Sequence, residues 1–171
     1  MPSRMQFNWS VAPHIAWAIF WLFNIVLALC WPFLHDTFIR NNFAPVYASS
    51  CHQILTRCYY LNGEPMPICA RCLGVWIGFA IAATAVVSGA PLSSFWRSSF
   101  ALKLILLFFI DWCLGFIVLP AEWHLERTLT GILGGIGIYI LTTLTLARLA
   151  RRLHFIKGRM DGLLYALGKR H

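Results

Sequence analysis

Charge is what this chain has least of. Asp, Glu, Lys and Arg make up 12% of its 171 residues, and only 6 residues are acidic. A soluble domain carries about twice that charge. With 59% of the residues apolar, the composition excludes an ordinary soluble globule. A small-residue cleavage site is also missing after the first apolar run, which is long and carries Trp17, Trp21 and Trp31. That run is therefore read as a retained span rather than a removed signal peptide. No repeat of about 20–50 residues and no low-complexity tract is found. No composition break separates two foldable units, so one domain over residues 1–171 is expected.

What the chain does have is four apolar runs, Pro13 to Leu34, Cys72 to Leu92, Phe100 to Leu119 and Leu129 to Leu149. Each has about the twenty residues that cross roughly 30 Å of hydrocarbon as a helix. The expected fold class is all-α, an integral membrane four-helix bundle with a long, partly ordered loop between helices 1 and 2. Gly74 and Gly78 on the second span, and Gly131 and Gly135 on the fourth, have the four-residue spacing of close helix contacts. Arg4, Arg97, Lys103 and the tail residues Arg148, Arg151, Arg152, Lys157, Arg159, Lys169 and Arg170 fall on one side of this scheme. Only Arg40, Arg57, Arg71 and Arg127 fall on the other. The positive-inside rule then makes both termini cytoplasmic and puts loop 35–71 and the segment Ala121 to Glu126 on the outer face. The net charge of +8 is read as this topology signal and as contact with anionic headgroups. Nucleic acid is not an expected partner. Tail residues Leu149 to Leu167 have the makings of an interfacial amphipathic helix, with Gly158 and Gly162 against it.

The long connection is where chemistry is expected, because a loop of that length carries a function or order of its own. It should hold a short helix from Pro45 to Arg57, then a turn at Asn62-Gly63-Glu64-Pro65 where proline ends pairing. Cys51-His52-Gln53, Cys58, and Cys69-Ala70-Arg71-Cys72 all fall in or beside it. Cys69 and Cys72 lie one helical turn apart at the mouth of a helix, whose amino end and neighbouring Arg71 favour thiolates. With Cys51 and His52 they make a Cys3His set of the kind tetrahedral zinc accepts. Adjacent residues seldom ligate one ion together, so Cys58 or His124 is an alternative fourth ligand. Copper(I) is the second metal such a set suits. Redox chemistry competes with metal binding. In an oxidising compartment Cys51–Cys58 and Cys69–Cys72 would form disulfides, or relay electrons to a quinone held in the bundle. A metal-donor or redox protein would be the corresponding partner. Gln53 follows His52, so the HxE pair of a zinc deaminase is lacking and that chemistry is set aside.

Asp111, midway along the third span, is costly at membrane depth. It is a candidate proton acceptor, or else a packing element bonded to a neighbouring helix, roughly 12 Å beneath the loop at 1.5 Å per residue. Arg127 is placed to reach down toward it or to snorkel to headgroups. Glu122, His124 and Glu126 complete an outer polar cluster, with Glu126 a second candidate acceptor. Gln53 and Arg57 are expected to hold the loop and Arg71 to offset thiolate charge. Cys30 and Cys113 are read as buried hydrophobes. His14, His35, His154 and His171 are read as isolated, and the tryptophans as belt anchors. Transport is a third class of function, but four short helices leave room for a path only in a homo-oligomer.

Cys51-His52-Gln53, Arg57, Cys69-Ala70-Arg71-Cys72-Leu73-Gly74, Asp111, and Arg127 with Thr130-Gly131 stand in an order that resembles a family of small predicted integral membrane proteins of bacteria and archaea with no assigned function. The resemblance covers about 80 residues. It implies this fold and a shared centre at Cys51, His52, Cys69 and Cys72, and it implies no reaction. Trp112 and His124 depart from the family's usual glycine and asparagine, and Cys58 is peculiar to this chain.

Overall fold

A computed structural model describes residues 11–34, 37–89, 94–117 and 123–168. Arg4, His35, Glu122, Lys169, Arg170 and His171 lie outside the described residues, as do the side chains of Arg97, Arg151, His154, Lys157 and Arg159. The elements in chain order are α1 (Ala12–Cys30), α2 (Thr37–Ser50), β1 (Cys58–Leu61), β2 (Glu64–Cys69), α3 (Ala70–Val87), α4 (Ser94–Ile117) and α5 (His124–Gly168). Short 3-10 turns at Trp31–Phe33 and Leu55–Arg57 join them. Four helices are long and apolar enough to cross a membrane: Ala12–Phe33, Ala70–Val87, Ser98–Gly115 and His124–Leu149.

The bundle packs α1 on α3, α3 on α5 and α5 on α4. Small residues dictate the tightest of these contacts. A Cβ at Gly74 would strike the Thr128 carbonyl, and one at Gly135 would strike that of Val75, so α3 and α5 approach to backbone distance only because those positions lack side chains. Away from the loop end, His14 Nδ1 lies 2.7 Å from the Tyr139 hydroxyl and ties α1 to α5. α5 runs 45 residues without interruption, so the tail continues the fourth span instead of forming a separate interfacial helix. Gly158 and Gly162 each cost about 1 kcal/mol in a helix interior, and the helix continues through them.

Loop 35–71 is a cap with its own order. α2 begins at Thr37 and ends at Ser50, upstream of the Pro45 to Arg57 helix expected from sequence. Proline does not open it. The Ser49 and Ser50 hydroxyls bond back to the Val46 carbonyl at 2.8 and 2.9 Å, and Gln53 turns the chain with φ +50°. Asn62 and Gly63 take φ of +53° and +79°, the left-handed pair that a two-residue hairpin needs. Pairing does not stop at Pro65, however. It continues Leu61 to Glu64, Tyr60 to Pro65 and, past a bulge, Cys58 to Cys69. Both strands of a two-stranded ribbon are edges, which tolerate a missing donor.

The cap is held down by Tyr47, fully buried, which stacks on Trp76 at 5.7 Å and meets Trp31 edge-on at 5.2 Å. Ala28, Cys51, Met66, Ile68 and Leu73 complete that core. Trp76 is therefore a core residue and not a belt anchor. Cys30 is exposed and Cys113 half-buried, which corrects their reading as buried hydrophobes. In a span, apolar side chains face lipid as readily as protein.

Candidate functional site

The site lies where α1 and α4 end and α3 and α5 begin. β2 ends at Cys69 in extended conformation (φ −73°, ψ 158°), and α3 starts at the next residue. Cys69 therefore caps the helix and Cys72 lies one turn inside it. Cys51 follows the last turn of α2, where its N–H still donates to the Tyr47 carbonyl at 3.0 Å. The cap brings the sulfurs of Cys51, Cys69 and Cys72 within 4.8 Å of one another.

Backbone donors aim at this cluster. The Sγ of Cys51 accepts the Cys69 N–H at 3.2 Å and the Gln53 N–H at 3.4 Å. The Gln53 side chain donates to the Pro67 carbonyl at 3.0 Å and docks the turn on β2. Donation from the Cys69 and Cys72 thiols, opposed in part by burial and helped by those two amides, holds the Cys51 thiol far below its usual value. The Cys69 thiol is raised, chiefly because it donates to Cys51. The cluster is thus centred on the Cys51 sulfur, which accepts from both amides.

Cys58 is Cys69's cross-strand partner, yet its thiol donates to the Ile54 carbonyl at 3.3 Å. Burial, and then the charges of Cys69 and Cys51, push it up to about 11. It is not one of the three clustered sulfurs. His52 is exposed and lines the adjoining cavity. His124 packs on the ring of Tyr59, 5.3 Å between centroids, and also lies outside the group of three. Tyr59 bonds Thr128 at 2.8 Å, which fastens the hairpin to the start of α5.

Arg71 takes the place beside Asp111 that was expected of Arg127. Arg71, in the first turn of α3, reaches Asp111 with Nη2 at 2.6 Å from Oδ2, both side chains nearly buried at 11% and 6% exposure. Thr130 donates to the same oxygen at 2.9 Å. The guanidinium therefore neutralises a carboxylate, where sequence reading aimed it at the thiols. Arg127 is 2% exposed, so it does not snorkel to headgroups. The two arginines converge on Gly115 of α4: a Cβ there would sit 3.0 Å from Arg71 Nη2 and 3.7 Å from Arg127 Nη1. Arg71 lines the same cavity as Cys69 and Cys72, so Asp111, which does not line it, is tied to the cavity wall through that guanidinium. Glu126 adjoins Arg127 in sequence and is not among the residues lining the cavity.

That cavity, about 380 Å³, is bounded by His52, Gln53, Arg57, Cys69, Arg71, Cys72 and Arg127, with Ile54 and Trp112 as its apolar wall. Sequence reasoning passed over Ile54 and Trp112 as lining residues, and Gly115 altogether. The signal for Gly115 was a glycine four residues after a membrane acid, on the same helix face.

A four-span helical protein with a thiol cluster beneath a cap at one end of the bundle is a small polytopic membrane protein of a cysteine-centred kind. Residues 51–141, the cap hairpin through most of the fourth span, match the DUF2085 family of predicted membrane proteins, and the chain belongs to it. The uncharacterized protein MJ1492 of Methanocaldococcus jannaschii is 35% identical over 72 residues. That match spans 39% of this chain and 46% of the archaeal protein, less than half its length. No solved structure matches the chain significantly.

Proposed function

We propose that Cys51, Cys69 and Cys72 hold a thiolate-preferring metal ion, zinc first and copper(I) second. The carrying observation is the three sulfurs lying within 4.8 Å of one another. Tetrahedral zinc with Zn–S near 2.3 Å has sulfurs about 3.8 Å apart, so closure requires side-chain motion of no more than about 1 Å. The two amide bonds to Cys51 support the reading, since such donors offset thiolate charge without protonating the sulfur. His52, at the cavity mouth, is the proposed fourth ligand or the residue beside an open fourth position. A bound metal would supply Lewis acidity and lower the pKa of a water at that position. Asp111, whose Oδ1 has no hydrogen-bond partner among the described residues, is one proposed proton acceptor, and Glu126 the other. We place the termini in the cytoplasm and the cap on the outer face from the charge asymmetry.

The approach of the Cys69 and Cys72 sulfurs to within 4.8 Å favours one second reading, thiol oxidation. In it the Cys69 and Cys72 thiols would form a disulfide and pass two electrons and two protons to a quinone, giving the hydroquinone. One experiment separates the two readings: elemental analysis of protein purified in mild detergent, with thiol counts before and after reduction. Metal binding requires about one equivalent of zinc or copper, lost in Cys69→Ser and in Cys72→Ser. A metal-free protein with a reducible bond and quinone-dependent reoxidation would establish the second reading instead.

A further inference from the structure

Cys58 is the thiol of the cap that the proposed metal site leaves over. The hairpin nevertheless sets it against one of the ligands. Carried on from the pair Tyr60 and Pro65 in the same register, the ladder would put Cys58 opposite Pro67, but the bulge moves Cys69 into that place. Residues paired directly across an antiparallel ladder have Cα atoms about 4.5–5.5 Å apart, inside the roughly 4.4–6.8 Å that a disulfide bridges. The two thiols differ in access. Cys69 lines the cavity of about 380 Å³ beside the cluster, whereas Cys58 is 1% exposed and donates to the Ile54 carbonyl at 3.3 Å. A small oxidant entering the cavity therefore meets Cys69 before Cys58. Cys72 lines the cavity as well, but the strand pairing sets no spare thiol against it. With a metal bound, the sulfurs of Cys51 and Cys72 are engaged with the ion, and Cys58 keeps a thiol free to react with its cross-strand neighbour. An accessible sulfur beside a sheltered resolving thiol is the layout of a thiol redox sensor.

We propose that Cys58 is a resolving thiol: when hydrogen peroxide oxidises Cys69, Cys58 captures it as a cross-strand disulfide and withdraws it from the metal site. The Cys69 sulfur attacks one peroxide oxygen, so that an S–O bond forms as the O–O bond breaks, and the released hydroxide takes up a proton and leaves as water. Cys58 then attacks the sulfenic sulfur. The S–S bond forms as the S–O bond breaks, and the Cys58 proton departs with that hydroxyl as a second water. The two sulfurs have supplied the two electrons that reduce one peroxide. An ion left on Cys51 and Cys72 is under-coordinated and is released. The release rests on the metal reading, while the pairing of Cys58 with Cys69 rests on the hairpin alone.

The test is titration of detergent-purified, zinc-loaded protein with hydrogen peroxide, the released zinc read by a chromogenic chelator and the remaining thiols alkylated before tryptic mapping. Cleavage after Arg57 and Arg71 gives a peptide 58–71 that contains Cys58 and Cys69 and no other cysteine. That peptide should escape alkylation and be lighter by the two thiol hydrogens. About one equivalent of zinc should leave with the same time course, and a phosphine reductant should restore both thiols and zinc binding. Cys58→Ser keeps a donor for the Ile54 carbonyl and should hold zinc as tightly as the unaltered protein before oxidation. After oxidation its Cys69 should run on to the sulfinate, so that the reductant no longer restores zinc binding. Cys30→Ser should behave as the unaltered protein. Should Cys58→Ser fail to elute as a monodisperse protein, the peptide map of the unaltered protein decides by itself. Alkylation of both thiols in peptide 58–71 would overturn the proposal. So would a bond joining it to peptide 41–57 or 72–97, which would show the ligands pairing among themselves, and so would loss of zinc from Cys58→Ser before oxidation, which would make Cys58 a ligand. Protein that binds no zinc would sink the metal reading instead, and the state of peptide 58–71 after peroxide would still uphold or overturn the pairing.

Discussion

Replacing Asp111 with asparagine removes one charge from a buried pair and almost nothing from its shape. Arg71 and Asp111 meet at 2.6 Å with 11% and 6% of their side chains exposed, so neither charge has water to fall back on. Breaking such a pair from one side costs about 3–5 kcal/mol, mainly because the remaining ion stays buried. The substituted amide can still accept from Thr130, so Asp111→Asn should sit near the low end, about 3 kcal/mol, and Asp111→Leu, which loses both bonds, near about 5 kcal/mol. Either loss exceeds the roughly 0.6 kcal/mol typical of an interhelical hydrogen bond in a membrane bundle. Equilibrium unfolding in mixed micelles, followed by far-UV circular dichroism, reads the difference. In Arg71→Met with Asp111→Leu no ion is left stranded, and a coupling of about 3 kcal/mol should return much of the stability. Because Arg71 also adjoins Cys72 in sequence, metal affinity should fall in the single variants along with stability. Single-variant losses below about 1 kcal/mol, or simple additivity in the double variant, would refute a buried ion pair.

Gly135→Val should disrupt the α3–α5 contact, since its side chain would occupy the space of the Val75 carbonyl. Loss of at least about 3 kcal/mol, or failure to accumulate in the membrane, is expected, against little change for Gly63→Asn at the open hairpin tip. Burial raises the folded Cys58 thiol to about 11, so its stability contribution is complete below the unfolded value, about 8.5. It is lost as pH rises through 11, and Cys58→Ala should flatten that alkaline limb of a thermal-melt profile. The Cys69 thiol is likewise raised, and metal must displace its proton. Measured zinc affinity should therefore climb at least about ten-fold per pH unit across neutrality, and a flat profile would speak against thiol ligands. A reporter active only outside the cytoplasm should give signal when fused after Gly63 and none after Gly158. The opposite pattern would invert the proposed topology.

Much of this arrangement was legible along the chain, and what escaped did so for physical reasons. Long apolar runs locate spans because hydrocarbon demands internally bonded backbone, and Gly74, Gly78, Gly131 and Gly135 announced the α3–α5 interface, where side chains are excluded. Asn62-Gly63 announced a turn, but not that Pro65 would remain paired, because pairing tolerance depends on whether a strand is an edge. Loop 35–71 could be expected to have order, yet α2's extent followed from Tyr47 finding Trp76 and Trp31, a contact between distant segments. The pairing of Asp111 with Arg71, where Arg127 was expected, was illegible for the same reason: sequence proximity put Arg71 with the thiols, while helix packing put it against Asp111.

The sequence alone therefore determined that the protein lives in a bilayer, crosses it with four helices and gathers most of its cysteines beside one loop, because these follow from composition, run length and local spacing. Tertiary structure alone decided which of those groups meet. It chose Cys51, Cys69 and Cys72 from the candidate ligands, turned Cys58 to a carbonyl, paired Asp111 with Arg71 and opened an arginine-lined cavity beside the thiols. Those choices rest on distances across helices and strands that no local pattern encodes, since each is set by how closely two backbones are allowed to approach.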